Sequence, residues 1–364
     1  MNKLRIGITM GDINGIGPEL ILKTFQDGRL RGLCIPIIYG SARILNIYKK
    51  LFQIEKFHYA NVPHAGAARP GTVNIVECLP DVERVDIGLP SEMGGRCALM
   101  SLDRALEDAV RQNIDALVTM PVDKATVRLN KPDFTGHTEM IADTFGLREN
   151  LMMMVADEMK IALVTNHVAV RDISRNLSVQ RIVSKAKLLI DSLKQDFSID
   201  KPIIAVLGLN PHAGDDKMMG DEEEKLIRPA IQKLQEEGHM VYGPYSPDGY
   251  FGSLNYKKFD ATLAMYHDQG LIPFKLLVGT NGVNFTAGMP FVRTSPDHGL
   301  AYNIAGKGIA DETSFRNALY VAIDVFNRRS ENQDLKANAL VVEKGYVPQE
   351  EATVAKFDDL PEVE

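Results

Sequence analysis

The sequence lacks the features that would mark a disulfide-rich, metal-cysteine or membrane protein. It has only three cysteines, Cys34, Cys78 and Cys97, and they show no metal-ligand spacing, so we interpret them as small apolar side chains. No apolar run approaches the roughly 18 to 20 residues that span a bilayer. The first ten residues read as the start of a strand and not as a signal peptide. A cytoplasmic location is therefore expected.

A surplus of positive charge is also absent. The formal net charge is −7, whereas nucleic acids and anionic membranes bind to basic surfaces, so neither is expected as a partner. An anionic small substrate would need locally placed cations. The chain has 364 residues, 45% of them hydrophobic, with no fixed-period repeat and no low-complexity linker. It can bury a large core, and its length favours two lobes over one.

The common nucleotide-binding signatures are missing as well. A glycine-rich loop, Gly11–Glu19, follows the first predicted strand, and Pro18 suits the first turn of a helix. The loop has neither the Lys-Ser/Thr ending of a P-loop nor the spacing Gly-x-Gly-x-x-Gly. From its residues alone, it is equally well explained as a tight turn.

Strand and helix patterns alternate along the chain, which predicts the α/β class. Apolar strands at 161–165 and 202–207 flank a helical pattern at 178–193, and a right-handed parallel crossover places both strand ends at one edge of a sheet. A further strand, 261–265, precedes Gln269-Gly270, which we expect to turn the chain. The strand that begins at Asp115 and ends in Asp123-Lys124 is expected to reach the same edge. A final helix is predicted over 314–328.

Three histidines, His167, His212 and His267, each follow one of these strands. A single histidine in such a place is more often structural, but three at equivalent positions favour a metal site. Neutral imidazoles bind borderline divalent metals, and three protein ligands leave positions open for a substrate oxygen. The histidines therefore predict a divalent metal, with Zn²⁺ as the first choice and Mg²⁺ or Co²⁺ as alternatives.

An anion site is predicted near residues 134–139. There, His137 and Thr138 stand at a loop-to-helix junction, where backbone N–H groups and the helix dipole favour negative charge. The alternative is that Thr138 only caps the helix. Further donors that suit a phosphate or a carboxylate are Lys275, Asn284 and Arg293. A metal site and an anion site together indicate an enzyme.

Three residues are candidates for the general base. Asp248, Asp268 and Lys275 could each reach a substrate through a water molecule. Asp248 has a structural alternative, because a lone aspartate in a loop is usually a turn former.

Five motifs together resemble the 4-hydroxythreonine-4-phosphate dehydrogenase family over roughly residues 3 to 328. They are Gly11–Glu19, Phe134–Glu139, Gly208–Gly214, Ala264–Gly270 and Arg293–Gly299. The resemblance implies an isocitrate/isopropylmalate dehydrogenase-like fold, three-layer α/β with mostly parallel sheets in two lobes. We expect residues 1–145 plus 285–364 to form the first lobe and residues 146–284 the second, which would carry the metal and the dimer interface. Ser295, Asp297, Gly299 and Gly306 lie in a segment similar to the nicotinamide-dinucleotide loop of those dehydrogenases.

The resemblance also implies a reaction. It is the oxidation of 4-phosphooxy-L-threonine by NAD⁺ or NADP⁺ and loss of CO₂ to give 3-amino-2-oxopropyl phosphate, in pyridoxal phosphate biosynthesis. It implies a homodimer with a shared active site, in which His267 reaches the metal of the partner subunit. The metal ligands would be His167, His212 and His267, and the substrate would contact His137, Thr138, Lys275, Asn284 and Arg293.

Other functions remain open alongside this one. The same chemistry could act on a phosphorylated threonate or erythronate. A metal-dependent hydrolase and a non-catalytic sensor of phosphorylated metabolites are the alternatives from other classes. The sequence departs from the family at Ile13-Asn14, where many relatives have Pro-Ala, and in an acidic tail beyond about residue 330.

Overall fold

The structure is a computed structural model that describes residues 3–147 and 149–339. Within them, twelve strands and eleven α-helices follow one another along the chain. The strands are β1 (Arg5–Thr9), β2 (Ile35–Gly40), β3 (Tyr59–Val62), β4 (Val73–Glu77), β5 (Ala116–Val118), β6 (Leu151–Val155), β7 (Lys160–Leu163), β8 (Ile203–Leu207), β9 (Met240–Tyr245), β10 (Ala261–Ala264), β11 (Val283–Ala287) and β12 (Val292–Pro296). The helices are α1 (Gly17–Gln26), α2 (Arg29–Leu33), α3 (Ala42–Leu51), α4 (Glu92–Val110), α5 (Lys124–Asn130), α6 (His137–Thr144), α7 (Val179–Phe197), α8 (Arg228–Glu236), α9 (Pro247–Gly252), α10 (His267–Val278) and α11 (Thr313–Ala337). Shorter helical turns cover Ala65–Ala67, Val170–Asp172, Ser174–Asn176, Pro211–Lys217, Glu223–Ile227, Asn255–Lys258 and Gly279–Asn281.

All twelve strands join one continuous sheet in the order β3-β4-β2-β1-β5-β12-β11-β6-β7-β10-β8-β9. The first six in this order are parallel to one another, and so are the last four. Three antiparallel pairings, β12 with β11, β11 with β6, and β6 with β7, connect the two groups. Because three reversals separate them, the two parallel groups run in opposite directions.

Helices cover both faces of the sheet, which makes three layers. Successive side chains of a strand point to opposite faces of the sheet. The side chains of Ile6 and Ile8 on β1 enter the core of one face, and the side chain of Leu117 on β5 enters a core of the other face. On the first face, a single apolar core extends beneath α1, α3, α7, α8 and α11. On the second face there are two separate cores, one beneath α4 and one beneath α10. The predicted three-layer, mostly parallel α/β fold is confirmed.

The two cores of the second face are separated by polar side chains. Arg293 on β12 is in register with Leu117, which belongs to the core beneath α4. Asn284 on β11 is in register with Met154, which belongs to the core beneath α10. Residues in register share a face of the sheet. Arg293 and Asn284 therefore lie between the two cores, where the antiparallel strands cross the middle of the sheet.

Several predicted boundaries are corrected. Gln269-Gly270 do not turn the chain, because they lie inside α10, which begins at His267. The strand β5 runs opposite to β7, so the two strands end at opposite edges of the sheet. The last helix continues to Ala337, beyond its predicted end. The final part of the acidic tail, residues 340–364, lies outside the described residues, and the division into two lobes stays a prediction.

Residues 3–147 and 149–339 contain no helix that is both long and apolar enough to cross a membrane.

The buried amide of Gln269 fixes α10 to the ends of two strands. Its Oε1 accepts a hydrogen bond from the backbone N–H of Met265 at 2.7 Å, and its Nε2 donates to the carbonyl of Gly208 at 2.6 Å. Gly270 allows α10 to approach β7 closely, because a Cβ there would lie 2.7 Å from the Ile161 side chain. These contacts set the position of His267 at the start of the helix.

We expect Gln269→Ala to lower the free energy of unfolding by about 2 to 4 kcal/mol, because two buried backbone groups would lose their partner. Urea unfolding followed by two optical probes measures the change. Gln232→Ala is the matched control, since Gln232 is exposed on α8 and bonds only to Glu236. Equal stability losses in the two variants would contradict this role of Gln269.

Candidate active site

A cavity of about 290 Å³ opens between the two cores of the second face. Seven parts of the chain line it, and they include most of the residues that the sequence singled out. They are the segment that follows β5, the start of α6, the strand β6, the turn after β7, the strand β11, the strand β12 and the segment that follows β12. We call this cavity the central pocket. The segments after β5 and after β7 thus meet here although their strands run in opposite directions.

Arg293 forms the floor of the central pocket. The side chain is only 3% exposed, and it donates hydrogen bonds to the hydroxyl oxygens of Thr286 at 3.1 Å and Thr119 at 2.7 Å. No carboxylate of the described residues is in ion-pair contact with it, and its Nε has no partner. Burial lowers the pKa of Arg293 to about 10, while Glu139 acts in the opposite direction. A buried cation in this state is strongly stabilised by an anion.

His137 begins α6 and faces the same space. Burial, helped by the nearby charges of Arg293 and Lys124, lowers the pKa of His137 to about 3. The imidazole is therefore neutral over the physiological range, and its Nε2 is buried without a partner among the described residues. Thr138 also lines the pocket and is the second residue of the helix, whereas the N-cap is Gly136. The alternative role of Thr138 as a helix cap is therefore wrong.

Open hydrogen-bonding atoms are concentrated in the central pocket. Among the described residues, seven buried side-chain nitrogen or oxygen atoms lack a partner, and four of them belong to residues that line this pocket. These four are His137 Nε2, Asn284 Oδ1, Arg293 Nε and His298 Nε2. Buried polar atoms are nearly always satisfied in folded proteins, so the four together indicate a polar ligand.

Lys275 is in ion-pair contact with Asp297 beside the pocket. Its Nζ lies 2.9 Å from Asp297 Oδ1 and donates to the Asp297 carbonyl at 3.2 Å. Asp297 lines the central pocket, whereas Lys275 lines an adjoining apolar cavity of about 330 Å³ that also contacts Ile304. Burial raises the pKa of Asp297, and the ion pair with Lys275 opposes this. Lys275 is thus linked to the central pocket through Asp297.

Two of the three predicted metal ligands meet within the chain. The rings of His167 and His267 have their centroids 5.9 Å apart, and His267 Nδ1 lies 2.7 Å from Asp268 Oδ1. His212 stands apart in the exposed segment Pro211–Lys217, where its φ is 53°. Among the described residues, no group of three or more His, Cys, Asp or Glu side chains could hold a metal ion. A single chain therefore brings together only two of the three predicted metal ligands.

The other predicted residues are placed as follows. Asp248 is exposed on α9, where a hydrogen bond from Ser246 is the main cause of its lowered pKa and His212 adds a smaller effect. Of the predicted cofactor residues, Ser295, Asp297 and Gly299 line the central pocket. Gly306 does not; it has a φ of 76°, and a side chain there would lie 2.7 Å from Ile87.

Sequence reasoning missed four residues of the site: Thr119, Thr286, Lys124 and Glu139. Lys124 had a usable signal, since it follows an apolar strand just as the three histidines do. Thr119 and Thr286 had none, because only the sheet register brings them to Arg293. Glu139 lies in the same motif as His137 and was not given a role of its own.

Comparisons with known proteins agree with the five motifs. A family model described as "Pyridoxal phosphate biosynthetic protein PdxA" matches residues 32–322. The chain is 45% identical over 362 residues, 99% of both chains, to a 4-hydroxythreonine-4-phosphate dehydrogenase of Bacteroides thetaiotaomicron. It is 38% identical over 331 residues, 89% of this chain and 98% of the relative, to a D-threonate 4-phosphate dehydrogenase of Cupriavidus necator.

A solved structure gives the same result. A 4-hydroxythreonine-4-phosphate dehydrogenase from Klebsiella pneumoniae superposes with a TM-score of 0.79 at 33% identity, covering 89% of this chain and 98% of the other. The resemblance drawn from the motifs is confirmed.

We expect His137→Gln to make the stability of the protein less sensitive to acid. The pKa of His137 is about 3 in the folded state, against an ordinary value of 6.5. Between these values the unfolded chain binds a proton that the folded chain does not, so the stability falls as the pH drops below 6.5. Urea unfolding at about pH 7 and about pH 5 should show a smaller loss in the variant than in the original protein.

The exposed His64 supplies the control for this experiment. His64→Gln should keep the original acid sensitivity. A His137→Gln variant that loses as much stability on acidification as His64→Gln would contradict the neutral, buried state of His137.

Proposed function

The chain belongs to the PdxA family of pyridoxal phosphate biosynthetic proteins, and on this premise we propose that it is an NAD(P)⁺-dependent dehydrogenase of 4-phosphooxy-L-threonine. The product after loss of CO₂ is 3-amino-2-oxopropyl phosphate. The relative that is 45% identical over 99% of both chains is named for this activity. Within the structure, the observation that carries the proposal is the buried, unpaired Arg293 at the floor of the central pocket.

A phosphorylated acid fits the open atoms of the pocket. The phosphate oxygens accept hydrogen bonds from Arg293 Nε and from the N–H groups at the start of α6, where the helix dipole adds to the attraction. The neutral imidazole of His137 hydrogen-bonds the same group without adding charge. Asn284 Oδ1 accepts a hydrogen bond from a hydroxyl or ammonium group of the substrate.

The reaction removes a hydride and a proton from the secondary alcohol. A bound nicotinamide dinucleotide would supply the hydride acceptor, and a divalent metal held by the predicted histidine ligands would supply polarisation of the substrate oxygen. Asp297 and Glu139 both line the central pocket; Asp297, whose pKa is raised by burial, is the carboxylate that takes up the hydroxyl proton, and Lys275 holds it in place. Asp268 orients the ring of His267 through the contact to Nδ1, which is the usual role of a carboxylate beside a ligating histidine.

The segment that follows β12 would hold the nicotinamide dinucleotide beside the substrate. Ser295, Asp297 and Gly299 line the central pocket, and Asp297 also lines the adjoining apolar cavity. That cavity includes Ile16 and Ile304, whose side chains suit an aromatic ring of the cofactor. The choice between NAD⁺ and NADP⁺ stays open.

A second candidate is the same chemistry on a phosphorylated threonate. Two relatives, 38% and 36% identical to this chain, are named D-threonate 4-phosphate dehydrogenases. That substrate keeps the phosphate, the carboxylate and the reacting hydroxyl and replaces the ammonium group by a hydroxyl. The contacts of Arg293 would serve both substrates equally.

We expect reduced cofactor and CO₂ to form together only when 4-phosphooxy-L-threonine, NAD⁺ or NADP⁺ and a divalent metal are all present. A panel that includes D-threonate 4-phosphate and D-erythronate 4-phosphate, each assayed for kcat/KM, separates the candidates. A higher kcat/KM for either acid would replace the proposed substrate. Hydrolysis of a phosphorylated substrate without any cofactor reduction would replace the proposed reaction.

We further propose a homodimer in which the metal site is shared. Four large apolar side chains near the three histidines are 64 to 82% exposed in the single chain, namely Val170, Met218, Ile272 and Leu276. Ile272 and Leu276 are one turn apart on α10, the helix that begins with His267. Exposed apolar residues so grouped are typical of a subunit interface. A second subunit would cover them and complete the metal site.

Mixing inactive variants tests the shared site. If His267 reaches the metal of the partner subunit, then His267→Ala and His167→Ala chains should recover about a quarter of the original activity after subunit exchange, because half the dimers are mixed and each has one intact site. His212→Ala mixed with His167→Ala should stay inactive. Recovery in the second mixture alone would make His212 the residue that crosses between subunits. No recovery in either mixture would contradict a shared site.

A further inference from the structure

We propose that Lys124 binds the phosphate of the substrate as a second cation beside Arg293. This inference rests on the proposed phosphorylated substrate and adds to it a residue that neither the sequence motifs nor the named relatives assign. Lys124 is the first residue of α5 and lines the central pocket together with His137 and Arg293.

The position of the ammonium group follows from its contacts with Gly136. An ideal Cβ at Gly136 would lie 3.3 Å from Lys124 Nζ and 3.5 Å from its Cε, so the side chain extends to the start of α6. The same point lies 2.6 Å from Glu139 Oε2. Glycine at position 136 therefore leaves the space that lets both charged side chains reach this end of the pocket. Lys124 is thus held beside the backbone N–H groups that α6 offers to an anion.

Lys124 has no ion-pair partner among the described residues, in contrast to Lys275. The carboxylate of Asp123 accepts a hydrogen bond from the N–H of Ala125 at 2.9 Å and caps α5. Glu139 is close but outside ion-pair contact with Lys124. Lys275, by comparison, lies 2.9 Å from Asp297. Lys124 and Arg293 are therefore the two cations of the central pocket whose charge is available to a ligand.

The charge of the proposed ligand requires two cations. A phosphate monoester carries about −1.5 to −2 at neutral pH, whereas Arg293 supplies a single positive charge and Glu139 contributes a negative one. Arg293 is also buried and fixed by Thr119 and Thr286, so it reaches the phosphate from one side only. Lys124 approaches from the side of α6 and adds a second positive charge.

The test measures the binding of inorganic phosphate to the full chain by calorimetry, at low and at high salt. Lys124→Gln should raise the dissociation constant about ten- to hundredfold, as expected for the loss of one charged hydrogen bond, and should reduce the salt dependence. Lys124→Arg should restore most of the affinity. In assays of turnover, Lys124→Gln should raise KM more than it lowers kcat.

Two further variants make the result specific. Lys131→Gln is the matched control, because Lys131 lies at the other end of α5 and is 3.7 Å from Asp133; its phosphate affinity should not change. Gly136→Ala removes no charge but places a methyl group between Lys124 and Glu139, so it should weaken phosphate binding as well.

Unchanged phosphate affinity in Lys124→Gln would overturn the proposal. So would a variant that loses affinity for threonine, a carboxylate without phosphate, and keeps affinity for inorganic phosphate, since Lys124 would then bind the carboxylate end. Because these readouts need no turnover, they remain decisive if the protein oxidises none of the tested acids. A failure of the dehydrogenase proposal is thereby distinguished from a failure of the role of Lys124.

Discussion

The burial of Arg293 without a carboxylate partner in residues 3–147 and 149–339 is the constraint on which the site depends. Removing a charged group from water costs several kcal/mol unless an opposite charge or hydrogen bonds compensate it. Here two threonine hydroxyls, from Thr119 and Thr286, compensate part of the cost and leave Nε open. The remaining cost is offset when an anion binds. Relief of this uncompensated burial cost therefore contributes to the free energy of binding a phosphate.

The sheet topology explains why this site lies where it does. Two parallel groups of strands build apolar cores in the usual way, each beneath its own helices on the second face. The antiparallel strands β11 and β6 connect these groups, and no apolar core covers the face of the sheet around Arg293 and Asn284. The first face has one unbroken core and supports the floor of the pocket from below. A rigid floor keeps the buried guanidinium in position before any ligand arrives.

Within one chain, the proposed metal site is less complete than the proposed phosphate site. His167 and His267 are neighbours, whereas His212 is held apart on an exposed segment with several left-handed residues. Large apolar side chains that are close in sequence to each histidine are exposed. Both features are what a subunit would show if its active site were finished by a second copy. The chain belongs to the PdxA family by the match over residues 32–322, and the relative that is 45% identical to it is named as a dehydrogenase.

The sequence by itself determined the local elements and the ends of strands. Apolar runs of strand length, separated by helical periodicity, were enough for the α/β class. Polar residues just after those runs gave His167, His212 and His267, and a loop-to-helix junction gave His137 and Thr138. These patterns are local, so a linear reading contains them. Gln269-Gly270 show the limit of local patterns. The dipeptide is typical of a turn, but in the folded chain Gln269 hydrogen-bonds to Met265 and Gly208 and both residues belong to α10.

The tertiary structure decided which side chains lie together at the ends of the strands. Three antiparallel pairings make the last four strands of the sheet run opposite to the first six, and sheet register alone brings Thr119 and Thr286 to Arg293. Lys124 gained its place from Gly136, which is twelve residues away in the sequence and in contact only after folding. The contacts of Thr119 and Thr286 with Arg293 depend on long-range packing. The position of Lys124 depends on the absence of a side chain at Gly136. A pattern of neighbouring residues carries no information on either.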